Sequence, residues 1–543
     1  MKLVTVAEMQ AIEREANASG LTYEQMMKIA GRGLAEVIAE DYHDLKQEGV
    51  LGLVGSGNNG GDTLVALTHL AQQGWMASAY LVRPRSSDDP LMARLDEAGG
   101  KIYSFEQDSQ FKQLRTLLSK HAVVLDGVLG TGVHLPLKTE VAEVLGVTRK
   151  TLAEMDEPPR VVAVDCPSGV DCDSGEAAPE CIPANQTVTM AAVKLGLLNF
   201  PAYELVGGLQ VVGIGLSEDG ENLDTWRSIQ RIVPSMERIR DVLPERPLDS
   251  HKGTYGTALI VAGSVNYTGA AYLAGKAAYR IGAGLVTLGV PAPLHAVLAG
   301  QFPEATWILL PHEMGVIAEG AVEVLKENMG RGTAFLFGPG FGMDDKTGAF
   351  VSRLIGADQG ADHSGIGFSS MTRKQAKKEK EELPPLVIDA DGLKLLSRIP
   401  DWASYLPAPA VLTPHPGEMS FLTGLSVKEI QADRLGIAKR FSKQWGHVVV
   451  LKGAFTVIAG PDGQEAVIPV ATPALARAGT GDVLAGLIVG LRAQGVEAFP
   501  AAMAGAWIHA HAGLMAAEIL GNTASVLAED VLNSVVDVIT GLI

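Results

Sequence analysis

Short apolar runs that end in glycine-bearing turns are the feature that most limits what this chain can fold into. "VLGLVGSG" opens directly into "GNNGGDTLVALTHLAQQG", and "ASAYLV", "AVVLDGVLG" and "RVVAVDCPSG" follow within the first 170 residues. Runs that stay apolar, with helical stretches between them, read as strands buried on both faces of a mainly parallel sheet. The pattern starts again after Gly253 with "TALIVAGS", a long Ala/Gly helix, "GLVTLGVP", "AFLFGPG", "PLVIDADGL", "AVLTPHPGE" and "HVVVLKG". Ahead of the first strand, "TVAEMQAIEREANASGLTYEQMMKIAGRGLAEVIAEDY" reads as two helices broken near Ala18-Ser19-Gly20. The expected fold class is therefore α/β, as two three-layer domains with mainly parallel sheets. No tandem repeat of solenoid period is present.

Where the two patterns part, Leu216 to Gly253 is polar, Pro-bearing and without a strand signal. That shift sets the expected domains at 1–228 and 229–543. A polar, then densely charged stretch at about 356–383 is expected to be an exposed insertion. The length of 543 residues suits two or more domains, and 47% hydrophobic against 20% charged residues suffices for sizeable cores. Only 5% are aromatic, while 62 are Gly, a mixture that lets helices and turns lie close to a sheet.

The 44 Lys and Arg against 62 Asp and Glu leave a net charge of −18, which disfavours nucleic acid as a partner. A phosphate-bearing small molecule would have to be held locally, by backbone N–H groups and a few cations. Cys166, Cys172 and Cys181 match no zinc spacing and are expected to be buried or incidental thiols in a reducing compartment. The N-terminus is not a signal peptide, and no uninterrupted apolar run reaches the roughly 20 residues of a membrane helix. A soluble, cytoplasmic protein, free of membrane and forming a homo-oligomer, is the expectation.

In the second pattern, "ARAGTGDVLAGLI" sets Gly479, Thr480, Gly481 and then Asp482 at the mouth of a helix. Glycines there allow successive N–H groups to cradle an anion. A carboxylate beside such a cradle either removes a proton from a hydroxyl attacking phosphorus or simply caps the helix. Lys452 in "LKGAFT", His415 in "LTPHPGEM" and the Gly338, Gly340, Gly342 turn of "FGPGFG" follow other strands, and ligands of open α/β sheets bind beyond such ends. "TGAAYLAGKAA" is no P-loop, because five residues separate Gly269 from Gly275 and Ala277 stands where Ser or Thr is needed.

In the first pattern, "GSGNNGGDTL" fits G-x-G-x-x-G poorly, and its Asn58-Asn59 pair beside Asp62 offers hard oxygen ligands. Asp126, Asp165 and Ser168 follow two later strands. A cation shared by Asn59, Asp126 and Ser168 is chemically reasonable; each of the three is equally explained as a turn residue.

Together the motifs carry two resemblances. From His251 to the C-terminus, "HKGTYGTALIVAGS", "FGPGFG", "VIDADGL", "VLTPHPGEM", "VLKGAFT" and "ARAGTGDVLAGLI" closely resemble the ADP-dependent NAD(P)H-hydrate dehydratases of the ribokinase-like superfamily. From Lys2 to about Leu216, the Asn-Asn-Gly-Gly-Asp loop, Asp126 and "DCPSG" resemble the Rossmann-like NAD(P)H-hydrate epimerase domain. The first resemblance implies that Lys452, Gly453, Ala454, Phe455 and Thr456 hold ADP together with Thr472 to Gly481, which includes Ala478, Gly479 and Thr480. It implies that Ala270, Gly340, Gly342 and the turn of His415, Pro416, Gly417 and Glu418 line the hydrated nicotinamide. Asp482 would be the catalytic carboxylate and Mg2+ would bridge the phosphates, with Asp389 and Asp391 as nearby candidate ligands.

The second resemblance implies K+ on Asn59, Asp126 and Ser168. Substrate would meet Asn58, Asn59, Gly60, Gly61 and Asp62, then Gly130, Thr131, Gly132 and Val133 with His134, Leu135 and Pro136, and Asp165. Asp165 is the expected acid/base group; Lys194 is a second candidate or a snorkelling surface lysine. Thr63 stands where the family loop usually has glycine and is expected to tighten the pocket, and Cys166 stands where an aliphatic residue is commoner. Fused, the two domains would interconvert R and S hydrates of NADH or NADPH and dehydrate the S form, leaving AMP and phosphate. The alternatives are an ATP-dependent ribokinase-like kinase of a hydroxymethylpyrimidine, thiazole or sugar, with an N-terminal nucleotide-binding module, and a first domain whose catalysis has lapsed.

Overall fold

Seven parallel strands build the sheet of the first of two units, Met1–Arg231 and Ile232–Ile543. The computed structural model describes residues 1–216, 223–357 and 383–543. In chain order the strands are β1 Val50–Val54, β2 Ala77–Leu81, β3 Lys101–Ser104, β4 Val123–Gly127, β5 Arg160–Val164, β6 Gln186–Met190 and β7 Gly208–Val212. Their spatial order is β3-β2-β1-β4-β5-β6-β7, with every pairing parallel. Strand order reverses between β1 and β4, which opens a crevice beyond the carboxyl ends of those strands. The sheet lies between two cores: Val50 and Val54 of β1 belong to one, Leu51 and Leu53 to the other, as the alternation of strand side chains requires.

Two helices precede β1. Val6–Ala18 starts at a capping box of Thr5 and Glu8, and Tyr23–Asp41 at a second box of Thr22 and Gln25. The break falls at Ser19-Gly20, where the sequence puts it.

The second unit has a larger sheet. Its strands are β8 Arg231–Ile232, β9 Thr257–Val261, β10 Leu285–Pro291, β11 Thr306–Leu310, β12 Ala334–Phe337, β13 Leu386–Ile388, β14 Val411–Leu412, β15 Val448–Leu451, β16 Val457–Ala459 and β17 Glu465–Val467. They lie in the order β8-β17-β16-β15-β14-β13-β12-β9-β10-β11. From β15 to β11 all pairings are parallel, and β16 and β17 extend the edge antiparallel. Ala258 and Ile260 face one core, Leu259 and Val261 the other.

Small residues explain how helices close over this sheet. The helix Gly269–Arg280 packs on Thr480–Ala493, where a Cβ on Gly486 would stand 2.3 Å from the Ala274 carbonyl oxygen. The stretch read as strandless does contain one strand, β8, whose two residues are too few to give a pattern. The expected insertion at 356–383 falls, apart from its outermost residues, outside the described residues.

Candidate functional site

Each unit has a cavity beyond the carboxyl ends of its central strands. In the first, the turn after β1 delivers Gly57 as N-cap of the helix Asn58–Gln72, and the turns after β4 and β5 supply the facing residues. They enclose about 380 Å³, lined by Asn58, Asn59, Asp62, Gly130, Thr131, Gly132 and Asp165 among the expected residues. Gly60 and Gly61 are in the same turn but do not line it. A Cβ on Gly60 would sit 2.1 Å from the Gly55 carbonyl oxygen, so close packing explains this glycine. Val133 is buried, while His134, Leu135 and Pro136 are exposed outside the cavity.

Asn59, Asp126 and Ser168 come together. The Ser168 amide donates to Asp126 Oδ2 at 2.9 Å, and Asn59 Nδ2 donates to the Leu129 carbonyl at 2.9 Å. That leaves Asn59 Oδ1 and Asp126 Oδ1 buried without a hydrogen-bond partner, two acceptors facing an unmet demand. Burial raises the Asp126 pKa, partly offset by the Ser168 hydrogen bonds.

Asp165 is held with φ at 66°, in the left-handed region that non-glycine residues enter rarely and mostly at functional turns. Its Oδ1 accepts from Thr189 Oγ1 and from the Met190 amide, both at 3.1 Å, and from Lys194 Nζ. Lys194 is no snorkelling surface lysine: it is 1% exposed, and it also donates to Thr189 Oγ1 and the Met190 carbonyl, each at 2.9 Å. Its three N–H groups are thus all engaged within the cavity wall. Thr63 also departs from expectation. It is fully buried against Gly52 and Gly127, with its hydroxyl donating to the Asn59 carbonyl at 2.8 Å, so it packs against the sheet and does not narrow the cavity.

The sequence reading missed Glu13, which the helix Val6–Ala18 places in the cavity wall. Burial and the charge of Asp165 raise its pKa; burial, Asp165 and Glu13 raise that of Asp62 much further. Nothing in its local sequence marks Glu13, since it reads as one polar position of an amphipathic helix.

In the second unit the cavity measures about 450 Å³. Lys452, Gly453, Ala454 and Thr456 line it after β15, and Thr480 and Gly481 line it at the start of the helix Thr480–Ala493. Phe455, Ala478 and Gly479 stay out of its lining, as Phe455 is buried and Gly479 serves as the N-cap at φ 91°. That cap removes one of the two roles open to Asp482, which sits in the first turn and caps nothing. Thr472, Leu475, Ala476 and Arg477 complete one wall, and His415 and Pro416 another.

Lys452 organises the charges. Its Nζ lies 2.7 Å from Asp389 Oδ1 and 3.5 Å from Glu418 Oε2, both carboxylates almost fully buried. Burial would lower the Lys452 pKa, yet Asp389 and Glu418 hold it above its ordinary value. Burial would likewise raise Glu418, but Lys452 and His415 bring it down to about 2. Asp482 makes no such contact, and burial together with the Asp389 charge outweighs the pull of Lys452 and pushes it up to about 7. Asp389 is further held by Thr413 at 2.6 Å, and Asp391 is occupied by the Gly342 amide at 2.9 Å and by Lys394 at 3.0 Å.

Of the nicotinamide-side candidates only His415 and Pro416 line this cavity; Ala270, Gly340, Gly342, Gly417 and Glu418 do not. Gly340 lies against Ala270 and Tyr267, and Gly342 is tied to Asp391, so they form a neighbouring group; Gly417 and Glu418 stand behind His415. His415 Nδ1 accepts from the Gly417 amide at 2.9 Å, and its Nε2 lies 3.2 Å from Glu418 Oε1. His509, from the helix Ala498–Leu520, also lines the cavity and was missed by the sequence reading; burial lowers its pKa to about 4, and its Nε2 is buried without a partner. Among the described residues no group of three or more His, Cys, Asp or Glu is arranged to hold a metal ion, and no helix is long and apolar enough to cross a membrane.

Residues 258–535 match the family model described as NAD(P)H-hydrate dehydratase, and residues 23–196 match the YjeF-related protein N-terminus. The chain is 35% identical over 540 residues to a bifunctional NAD(P)H-hydrate repair enzyme of Moorella thermoacetica, covering 98% of this chain and 96% of that one. It is 34% identical over 560 residues to the enzyme of the same name from Salinibacter ruber, covering 98% and 95%. Among solved structures it is similar to an ADP/ATP-dependent NAD(P)H-hydrate dehydratase from Bacillus subtilis, co-crystallised with ATP and Mg2+. That likeness has 31% sequence identity and a TM-score of 0.45, and covers 57% of this chain and 99% of the other.

Proposed function

The chain belongs to the family of bifunctional NAD(P)H-hydrate repair enzymes, and from that premise we propose how its two cavities divide the work. The protein repairs hydrated NADH and NADPH as an NAD(P)H-hydrate epimerase and an NAD(P)H-hydrate dehydratase. In this reading the first cavity inverts the hydrated ring carbon and the second removes the hydroxyl from the S form.

The observation that carries the second assignment is Asp482, the one carboxylate around Lys452 left without a cationic contact, at the mouth of a helix. Its pKa near 7 suits a base that must be ionised at neutral pH yet strong enough to take a hydroxyl proton. Hydroxide leaves poorly. Transfer of a phosphoryl group to the ring hydroxyl turns it into a good leaving group, which the ring nitrogen then expels to restore the dihydropyridine. ADP is the proposed donor, giving AMP and phosphate, with its phosphates against Lys452 and the amides of Thr480 and Gly481. Arg477, Thr472 and Thr456 are the further polar groups of this wall. Asp389 and Asp391 are both committed to other partners, so the protein offers Mg2+ no ready cage, and the ion enters this reading only as a counter-charge to the phosphates.

In the first cavity the two orphaned acceptors, Asn59 Oδ1 and Asp126 Oδ1, fit a large hard cation such as K+, with Ser168 beside them. Bound there, K+ would supply positive charge beside the substrate. Asp165, fixed by Thr189, Met190 and Lys194, is the proposed acid/base group.

The test is regeneration of NADH from a purified mixture of both hydrates, with ADP, ATP or neither added. Full conversion that needs a nucleotide and vanishes in Asp482→Asn supports the assignment. Nucleotide-dependent phosphorylation of an added pyrimidine or thiazole alcohol, with no NADH formed, would overturn it in favour of a small-molecule kinase.

A further inference from the structure

The first cavity holds more carboxylates than one acid/base group needs. Glu13, Asp62 and Asp165 all line it, together with one lysine, Lys194, whose Nζ is committed to Asp165. Arg83 and Tyr23 also line the cavity, and Arg14 adjoins Glu13 on its own helix, yet no protein hydrogen bond or ion pair reaches the Glu13 or Asp62 carboxylate among the described residues. Asp62 lies deep, on the helix that follows β1 and only 9% exposed. Glu13 is half-buried and comes from a separate element, the N-terminal helix, whereas Asp165 comes from the end of β5.

Inversion of a carbon bearing both a hydroxyl and a ring nitrogen needs two proton sites, because oxygen leaves one face and returns on the other. Resting on the epimerase reading of this cavity, we propose that Glu13 is a second catalytic residue, the acid that works on the face of the ring turned away from Asp165. Protonated Glu13 gives its proton to the hydroxyl. The C–O bond breaks, water leaves, and the nitrogen lone pair forms a C=N+ bond. Water then adds to the other face, Asp165 takes its proton, and the C=N+ electrons return to nitrogen. The net change is inversion alone, with one proton moved from Glu13 to Asp165 and restored through solvent.

Physical chemistry favours this assignment over a structural role. Three carboxylates around one committed ammonium repel one another in a space of about 380 Å³, which favours the protonated form of the ones without a cationic contact. The shift at Glu13 runs in that direction, with burial first and Asp165 next among its causes. An acid is served by a carboxyl whose pKa is raised, and a salt-bridging structural glutamate would show the opposite tendency.

The test uses the full chain and the R hydrate, followed through the chain's own dehydration step with nucleotide in excess. Glu13→Gln is expected to lower kcat for R conversion by about a hundredfold or more, to leave KM within about twofold, and to leave turnover of the S hydrate unchanged. The alkaline limb of the R-hydrate pH profile, which reports a group that must be protonated, is expected to disappear, and Glu13→Asp to restore part of kcat. Ile12→Ala loosens the same helix without removing the carboxyl, and it is expected to keep the alkaline limb. Wild-type kcat in Glu13→Gln, or a loss of R conversion in Ile12→Ala with the same change of pH profile, overturns the assignment. If Asp165→Asn also converts the R hydrate at the wild-type rate, the epimerase reading of the cavity fails as well; if Asp165→Asn is slow and Glu13→Gln is not, only Glu13 is wrongly assigned.

Discussion

The two cavities share one inventory and use it differently. Each has three carboxylates near its one lysine: Glu13, Asp62 and Asp165 line the first beside Lys194, whereas Asp389, Glu418 and Asp482 surround Lys452 outside the lining of the second. In the second, Lys452 reaches two of the three, and Asp482 alone is left to titrate near neutrality. In the first, Lys194 spends its N–H groups on Asp165, Thr189 and Met190, and Glu13 and Asp62 are left without a direct contact. The lesson is that the reach of a single ammonium decides how many protons a site can handle. One free carboxylate suits a one-way reaction that needs a base. Two suit an inversion that must run both ways.

The comparison breaks first at Asp482. Asp482→Asn should lower NADH formation from the S hydrate by about 10²–10⁴-fold while leaving R-to-S exchange at the wild-type rate, measured by separating the epimers. Loss of both activities would mean that the two sites are not independent.

Lys452→Met comes next. It leaves Asp389 and Glu418 buried without their cation, and breaking such a pair costs about 3–5 kcal/mol. Urea unfolding should show the transition of the second unit moving to lower denaturant. The corresponding loss at Lys194 falls on a single paired carboxylate, so Lys194→Met should destabilise its unit less.

A third effect is the pH dependence. Asp482 acts ionised, and burial with Asp389 has raised its pKa to about 7. The dehydration rate, as kcat/KM for the S hydrate, should therefore rise with pH through about 7 and fall about tenfold per unit on the acid side. A limb near the ordinary carboxylate range would mean that Lys452 outweighs burial and Asp389 at Asp482, and the contrast between the sites would disappear.

The smallest expected effect belongs to Thr63→Gly. It removes a hydroxyl bond to Asn59 and puts glycine inside a helix, a change of about 1–2 kcal/mol in stability, yet it should leave KM for the R hydrate unaltered because Thr63 faces the sheet.

What the sequence made legible were groups fixed by strand ends. Lys452, Asp389 and Asp165 each follow a buried apolar run, and parallel topology collects such ends on one edge of a sheet, while Asp482 is marked by the Gly-Thr-Gly turn that opens its helix. Glu13 and His509 could not be read this way. Each comes from a helix with no local motif and enters its cavity only through tertiary packing. The choice between the two readings of Lys194 stayed open for a related reason, because a lysine after an apolar residue looks the same in sequence whether it snorkels outward or, as found, is sealed by Asp165, Thr189 and Met190. Gly60 marks a third limit: next to Asn59, a proposed K+ ligand, its lack of a side chain is required by the close backbone of Gly55. Short strands such as β8 and β17 were too brief to show a period.

The most direct measurement is a single progress curve of NADH formation from a mixture of R and S hydrates, with nucleotide in excess, for the wild type and for Asp165→Asn. Two independent sites predict complete conversion by the wild type, and for the variant a rapid phase equal to the S fraction followed by a near halt. Conversion of both epimers by Asp165→Asn at the wild-type rate, or of neither, would contradict the assignment of inversion to the first cavity and dehydration to the second.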